Sequence, residues 1–337
     1  MKKIYKILPF LLTVVLVALP AHARDFKAIM VTDVAGLGDK SFNDAAWTGL
    51  QRAQKDLKIE IACLQSYEQA DYISNLNLAA QDGDLVIAMG FLLAEAVQKT
   101  APLHPRKHFI FVDGKIQAPN VASFDYKAEE GAYLAGIIAA AVTKTQTVGI
   151  VEGLEIPPVK AFEAGFRAGV KTGNSYFKKN VQVKVVSAGS FNDPSKGKSL
   201  SKSLMGQGAD IIFQLAGNTG LGVFEAIREQ AGVYAIGSDL NQDGLVQSKV
   251  LTSVMKKTES AVYSAVKSAK LGRFESGHYY VGLLSGAIDI TPLAYTKDLI
   301  PADAHKLLAK SREAITGNKL KVPNLVEDVA KFAVPVH

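Results

Sequence analysis

Cysteine and the common catalytic signatures are nearly missing from this chain of 337 residues. Cys63 is the only cysteine, so no intramolecular disulfide can form, and the apolar run 59–64 favours a small buried hydrophobe over a reactive thiol. His104 and His108 are four residues apart, but Pro105 breaks the helix that would place them on one face. No H-E-x-x-H motif, G-x-S-x-G motif or cysteine cluster occurs. The sequence therefore predicts no metal, no cofactor and no catalytic site.

Long apolar runs are also missing, except at the start of the chain. Three lysines in the first six residues precede an apolar stretch at 7–19, and Ala21-His22-Ala23 follows. This pattern is typical of a secretory signal peptide over residues 1–23 that is cleaved near Ala23, with an uncleaved anchor as the alternative. No cysteine lies at the cleavage site to carry a lipid. We therefore expect a soluble, periplasmic mature protein.

Neither sign of charge dominates the sequence. It has 38 Lys and Arg against 32 Asp and Glu, a formal net charge of +6. Removal of the three lysines in residues 1–23 leaves 35 − 32 = +3. The remaining lysines are scattered, without a basic stripe interleaved with aromatic residues, so we expect no nucleic-acid partner. The acidic pair Glu129-Glu130 is typical of a solvated helix face.

Strand-like apolar runs alternate with helical patterns twice along the chain. In the first series we predict strands at 26–32, 58–64, 84–88, 108–112 and 121–124, with helices at 45–55, 74–81 and 94–100. In the second we predict helices at 128–143, 160–171, 196–206 and 222–230, with strands at 147–151, 181–186, 210–215 and 233–237. After these come a strand at 250–254, a helix at 259–271, strand signals in 279–290 and a helix at 303–316. The alternation predicts an α/β protein with two doubly wound parallel-sheet lobes and a ligand cleft between them.

The loop 36–43 follows the first predicted strand and carries a phenylalanine beside an asparagine. It is not a phosphate loop, because Asp39 stands where the P-loop pattern requires a lysine directly after glycine, and its charge repels phosphate. Ser41 or Asn43 could simply cap the following helix. Capping does not explain Phe42, a large apolar side chain in a loop. An aromatic face beside an amide suits a flat heterocycle.

A second Ser-Phe-Asn triplet occurs at 190–192, after a predicted strand of the second lobe. If the two loops correspond, Phe42 and Phe191 can hold a planar ring between them. The alternative is coincidence, because Asn-Asp-Pro-Ser is an ordinary turn sequence. The two triplets together favour a binding function.

Acidic residues follow one predicted strand in each lobe. Asp113 ends the strand 108–112, and Asp239 follows the strand 233–237. Side chains at the carboxyl ends of such strands face the ligand crevice, where carboxylates can accept hydrogen bonds from sugar hydroxyls. The alternative for each is a turn-initiating aspartate. Glycine and aromatic residues at the same edge allow close approach of a ligand: Gly90, Phe91 and Gly217.

These residues resemble the basic membrane protein family, the purine nucleoside receptor A-like substrate-binding proteins of ABC importers. The matching segments are spread along most of the chain in the family's order: Asp39-Lys40-Ser41-Phe42-Asn43, Val112-Asp113-Gly114, 128–136, Gly237-Ser238-Asp239 and Thr252-Ser253-Val254-Met255-Lys256. The resemblance implies a type I periplasmic-binding protein fold with three hinge segments. It implies one lobe of 24–124 plus 250–278 and a second of 125–249 plus 279–337.

The resemblance also implies a role for each matching residue. A purine would stack between Phe42 and Phe191, and Asn43 would contact the base. Ribose hydroxyls would be held by Asp113, Asp239 and Lys256, with the neighbouring Lys257 as the alternative lysine. Asp39, two residues before Ser41, would order the loop or touch the base edge.

The function that follows is a monomeric, non-enzymatic receptor that delivers a purine nucleoside to a membrane permease. An exported nucleoside hydrolase is the alternative from another class, with Asp113 and Asp239 as acid and base. The same residues are also compatible with a binding protein for a free purine base, a sugar or another small heterocycle.

Overall fold

The structure is a computed structural model that describes residues 25–335; the expected signal peptide at 1–23 lies outside the described residues. The first half of the described chain forms β1 (Lys27–Val31), α1 (Phe42–Leu57), β2 (Glu60–Leu64), α2 (Asp71–Asp82), β3 (Leu85–Met89), α3 (Ala94–Thr100), β4 (His108–Val112) and β5 (Val121–Tyr126). The second forms α4 (Ala128–Val142), β6 (Thr147–Glu152), α5 (Pro157–Phe177), β7 (Gln182–Ser187), α6 (Pro194–Gly206), β8 (Ile211–Leu215), α7 (Thr219–Glu229), β9 (Tyr234–Asp239) and β10 (Val250–Lys256). The chain continues with α8 (Thr258–Lys270), β11 (Gly277–Val281), β12 (Ile288–Ile290) and α9 (Ala302–Thr316).

The strands form two six-stranded sheets with matching order. One has the order β11-β5-β4-β3-β1-β2 and the other β12-β10-β9-β8-β6-β7. Among the described strands, all pairings are parallel except the antiparallel pair of β12 with β10. Every residue of the central strands β3 and β8 is buried, as expected where helices cover both faces. In both sheets the carboxyl ends of the parallel strands present the loops that meet at the cleft.

Glycines let the two helices α4 and α5 pack with their backbones almost in contact. A Cβ atom at Gly136 would collide with the backbone carbonyl of Phe166, and one at Gly169 with that of Tyr133. Helix α5 begins at Pro157, and its first turns line the cleft. The close packing therefore fixes one wall of the candidate site. Within residues 25–335, no helix is both long and apolar enough to cross a bilayer.

The chain passes between the two sheets three times. The crossings are Lys127, between β5 and α4; Lys257, between β10 and α8; and the segment 282–287, between β11 and β12. Lys127 and Lys257 have nearly the same backbone angles, with φ −74° and ψ 65° at the first and φ −79° and ψ 52° at the second. The Lys127 amide donates to the Val281 carbonyl and the Lys257 amide to that of Ala287, both at 2.8 Å. The three crossings thus lie side by side as a hinge.

The structure corrects the predicted division between the lobes. We expected 250–278 in the first lobe and 279–337 in the second. Instead β10 pairs with β9 and β12 in the second sheet, whereas β11 pairs with β5 in the first. The return to the first lobe therefore begins with α8, which packs on α1 where Gly49 meets the backbone of Glu259. The strand and helix pattern gave no information about which sheet each strand joins.

Candidate functional site

The main candidate site is a cavity between the two lobes with about 570 Å³ of space between the surrounding atoms, open solvent included. Ser41 does not line the cavity directly. All the other residues predicted for the site do: Asp39, Phe42, Asn43, Gly90, Phe91, Asp113, Phe191, Gly217, Asp239 and Lys256. Lys256 rather than Lys257 is the lysine that faces it.

Asp39 holds the first loop in place. Its carboxylate accepts hydrogen bonds from the backbone amides of Ser41, Asn43 and Asp44 at 2.9–3.2 Å. It also accepts one from the Asn43 side-chain amide at 3.1 Å. Burial raises the pKa of Asp39 to about 7, although the backbone donors act to lower it. The expectation that Ser41 or Asn43 caps α1 is wrong, because Ser41 at the N-cap position makes no capping bond.

Asp33 is a site residue that the sequence patterns did not single out. It is buried, follows β1 and lines the cavity, and its Oδ1 accepts from the Asn43 side chain at 2.9 Å and the Ala35 amide at 3.0 Å. Burial raises the pKa of Asp33 to about 6, and the charges of Asp113 and Asp239 add to this rise. The rule that identified those two aspartates at strand ends applies equally to Asp33.

The amide of Asn43 has one oxygen left for a ligand. Its Nδ2 donates to both Asp33 and Asp39, which fixes the orientation of the side chain. Its Oδ1 is buried and accepts no hydrogen bond within the described residues. A buried acceptor without a donor is costly, so a ligand N–H group is a suitable partner.

Aromatic rings from both lobes surround the cavity. Phe42 lies beside Gly90, and Phe191 packs its ring against the backbone of Gly153. The predicted correspondence of their loops is wrong: Phe42 follows the first strand of its lobe, whereas Phe191 follows β7, the second strand of the other lobe. Both side chains nevertheless line the same cavity. Phe162, which no sequence motif indicated, adds a further ring from α5.

Asp113 and Asp239 occupy equivalent positions in the two lobes. They follow β4 and end β9, and both have left-handed backbone angles, with φ 70° and φ 67°. This conformation is unfavourable for a residue with a side chain and is often found at functional sites. The Lys256 ammonium lies 2.7 Å from Asp113 Oδ2 and 3.6 Å from Asp239 Oδ1. Burial acts to lower the pKa of Lys256, but the two carboxylates outweigh it and raise that pKa.

Hydrogen bonds connect the lobes directly at this site, in addition to the bond between Lys256 and Asp113. Ser41 Oγ donates across the cleft to Asp239 Oδ2 at 2.8 Å, and Gln242 Nε2 donates to the Lys40 carbonyl at 2.9 Å. The amide of Gln242 is held by Gln214 and by the Ser238 backbone. Gln242 had no sequence signal, because its role depends on the closed arrangement of the lobes.

Comparison with known proteins gives the family. The family of ABC transporter substrate-binding proteins described as PnrA-like matches residues 26–325. The chain is 35% identical to the CD4+ T-cell-stimulating antigen of Listeria monocytogenes, with 89% of each chain covered. It is 33% identical to the ABC transporter nucleoside-binding protein BmpA of Lactococcus lactis, over 89% of this chain and 90% of that one.

A solved structure with a similar fold is an ABC transporter solute-binding protein from Aeropyrum pernix. Its TM-score is 0.85 at 26% identity, with 91% of this chain and 96% of that chain covered. This similarity and the two parallel-sheet lobes confirm the predicted type I periplasmic-binding protein fold. Proteins of this family bind substrates for transport and are not enzymes. The chain belongs to the PnrA-like family of ABC transporter substrate-binding proteins.

Proposed function

We propose that this protein is an exported, monomeric receptor that captures a purine nucleoside between its lobes and delivers it to a membrane permease. The observation that carries the proposal is one cavity with phenylalanines from both lobes at its walls and a Lys256–Asp113–Asp239 cluster beside them. A flat base and a sugar rich in hydroxyl groups require this combination. The name of the BmpA relative supports nucleosides as the ligand class.

The base would lie among the aromatic rings, with its polar edge toward the first lobe. The free Oδ1 of Asn43 can accept from a ring or exocyclic N–H group. Asp33 lies beside it and offers either a carboxylate acceptor or, when protonated, an O–H donor. A purine presents both donors and acceptors on its edges, so it can use both side chains.

The ribose would lie against the charged cluster. Carboxylates accept hydrogen bonds from vicinal hydroxyls, and the Lys256 ammonium donates to ring or hydroxyl oxygens. Charge-assisted hydrogen bonds of this kind are stronger than neutral ones. The left-handed backbone at Asp113 and Asp239 directs both carboxylates to the same cavity.

Closure of the lobes would bury the nucleoside and create the surface that a permease recognises. The Ser41–Asp239 and Gln242–Lys40 hydrogen bonds join the lobes without any ligand atom. A ligand that binds both lobes then shifts the population toward the closed state.

A binding assay with product analysis tests the proposal. Protein purified under denaturing conditions and refolded would be titrated calorimetrically with adenosine, inosine, cytidine and adenine, and the recovered ligand would be identified by chromatography. We expect one purine nucleoside per chain, recovered intact, and much weaker binding of cytidine. Catalytic release of free base would establish the hydrolase alternative. Equal affinity for adenosine and adenine would favour a free-base receptor.

A further inference from the structure

A second, larger cavity lies between the lobes next to the aromatic one. It encloses about 1420 Å³ of space, open solvent included, and shares Phe91, Asp113 and Pro158 with the first cavity. The shared Asp113 belongs to the cluster assigned to the sugar. A substituent on the sugar that passes Asp113 therefore enters the second cavity.

The wall of this second cavity is strongly acidic, in contrast to the basic chain as a whole. Six acidic side chains line it against two basic ones, Lys115 and Lys160. Lys160 is already held by Glu152, Glu155 and Glu163, at 2.8–3.1 Å. These ion pairs neutralise Lys160 together with Glu155 and Glu163, and Lys256 neutralises Asp113. Among the described lining residues this leaves the carboxyl groups of Asp125, Glu129 and Glu327 against the Lys115 ammonium. An anionic ligand group would meet a repulsive surface here.

Glu129 is the residue of this wall whose hydrogen bonding is incomplete. The expectation of a solvated face at Glu129-Glu130 is wrong, because Glu129 is only 5% exposed. Its Oε1 accepts from the Tyr280 hydroxyl at 3.3 Å, while its Oε2 is buried and has no hydrogen-bond partner among residues 25–335. The nearby Lys127 ammonium lies 3.7 Å from Glu130 and over the Tyr280 ring, so it acts on Glu129 through its charge and not through a hydrogen bond. Burial raises the pKa of Glu129 to about 7, and a cationic donor in the cavity favours its charged form.

We propose that the second cavity is a subsite for a protonated amine carried on the sugar of the bound ligand, with Glu129 as its acceptor. The inference rests on the proposed function and extends it to nucleosides with a cationic substituent. An ammonium group fits better than a metal ion, because no group of three or more metal-ligating side chains occurs within residues 25–335. The same wall excludes a 5′-phosphate, so nucleotides bind more weakly than nucleosides.

Three ligands with the same base and ribose test this inference. The refolded protein would be titrated calorimetrically with adenosine, 5′-amino-5′-deoxyadenosine and adenosine 5′-monophosphate at neutral pH. We expect the amine to bind about tenfold more tightly than adenosine, as one charge-assisted hydrogen bond predicts. We expect the monophosphate to bind at least tenfold more weakly. This series decides the inference even if a variant fails to fold.

The variant Glu129→Gln identifies the acceptor. The ratio of amine to adenosine affinity should fall close to one in Glu129→Gln and stay near ten in Glu130→Gln, the adjacent residue that does not line the cavity. Adenosine binding without any preference for the amine would overturn the subsite but leave the proposed function intact. A preference that persists in Glu129→Gln would overturn the role of Glu129. Failure of all three ligands to bind would overturn both proposals.

Discussion

At the residue scale, the proposed stacking of the base depends on Phe42. We expect Phe42→Ala to weaken nucleoside binding by about 1–3 kcal/mol, because base–aromatic stacking is worth that much. Isothermal titration with adenosine measures the change. Phe274→Ala is the matched control, because Phe274 stacks on His108 away from the cavity. Equal affinity of Phe42→Ala and the unmodified protein would contradict the assigned role.

Asp239 tests the assignment of the sugar at the same scale. Asparagine tolerates the left-handed backbone of this position, so Asp239→Asn removes the charge with little strain. We expect adenosine binding to weaken by about 1.5–3 kcal/mol, the range for a hydrogen bond to a charged group, while adenine binding changes little. Parallel titrations with the two ligands measure the difference. If both ligands weaken equally, Asp239 does not hold the ribose.

Burial of Asp33 makes the stability of the unliganded protein depend on pH. Its pKa rises from 3.8 to about 6 on folding, so the native state binds the proton more tightly. The stabilisation that protonated Asp33 contributes to the native state is fully present below about pH 4 and is lost as the pH rises through about 6. Asp33→Asn avoids this loss and keeps the acceptor for Asn43. We expect its free energy of unfolding to exceed that of the unmodified protein by up to about 3 kcal/mol at pH 8, with little difference at pH 4.

Urea denaturation at pH 4, 6 and 8 measures this effect. Glu68→Gln serves as control, because Glu68 is exposed in a loop and should follow the pH dependence of the unmodified protein. If the free energy of unfolding of Asp33→Asn changes with pH in the same way as that of the unmodified protein, Asp33 keeps an ordinary pKa in the folded state.

At the scale of elements, helix packing makes two glycines respond oppositely to the same substitution. Alanine is the better helix former by about 1 kcal/mol. At Gly169 the added methyl group collides with the Tyr133 backbone, so Gly169→Ala should destabilise the protein by about 1–3 kcal/mol. At Gly206, at the end of α6, nothing lies within 4 Å of the added carbon, and Gly206→Ala should be neutral or stabilising. Thermal unfolding of both variants measures the difference; the same sign in both would contradict this account of α4–α5 packing.

Strand and helix order was predictable because apolar periodicity is a local property of the sequence. Sheet membership was not predictable: β10 and β11 each lie next to a crossing, and only tertiary pairing decides their lobes. The same distinction holds in the site. Asp113 and Asp239 were identified from their positions at strand ends, and Asp33 could have been. Two other residues carried no local signal. Phe162 lies on a helix with ordinary apolar spacing. Gln242 makes its contact across the cleft, with the backbone of the opposite lobe.

At the scale of the whole molecule, binding depends on the balance between open and closed lobes as well as on ligand contacts. The lobes are joined at three crossings, Lys127, Lys257 and 282–287, so opening would rotate one lobe about these residues. The Ser41–Asp239 and Gln242–Lys40 hydrogen bonds contribute to the closed state only. A substitution that affects closure alone should therefore change the affinity for every ligand by the same factor, whereas a substitution in a ligand contact discriminates between ligands.

Ser41→Ala separates these two effects. Within the described residues Ser41 Oγ bonds only to groups of the opposite lobe, Asp239 and the Ser238 carbonyl. Its removal should destabilise closure by about 1.5–3 kcal/mol, the range for a hydrogen bond to a charged group. We expect adenosine and adenine to dissociate faster by the same factor, about tenfold or more, in stopped-flow measurements. Thr48→Ala, on the surface of α1, should leave both rates unchanged. Because Asp239→Asn should weaken adenosine selectively, a selective effect of Ser41→Ala would place Ser41 in the sugar site rather than in the closure of the lobes.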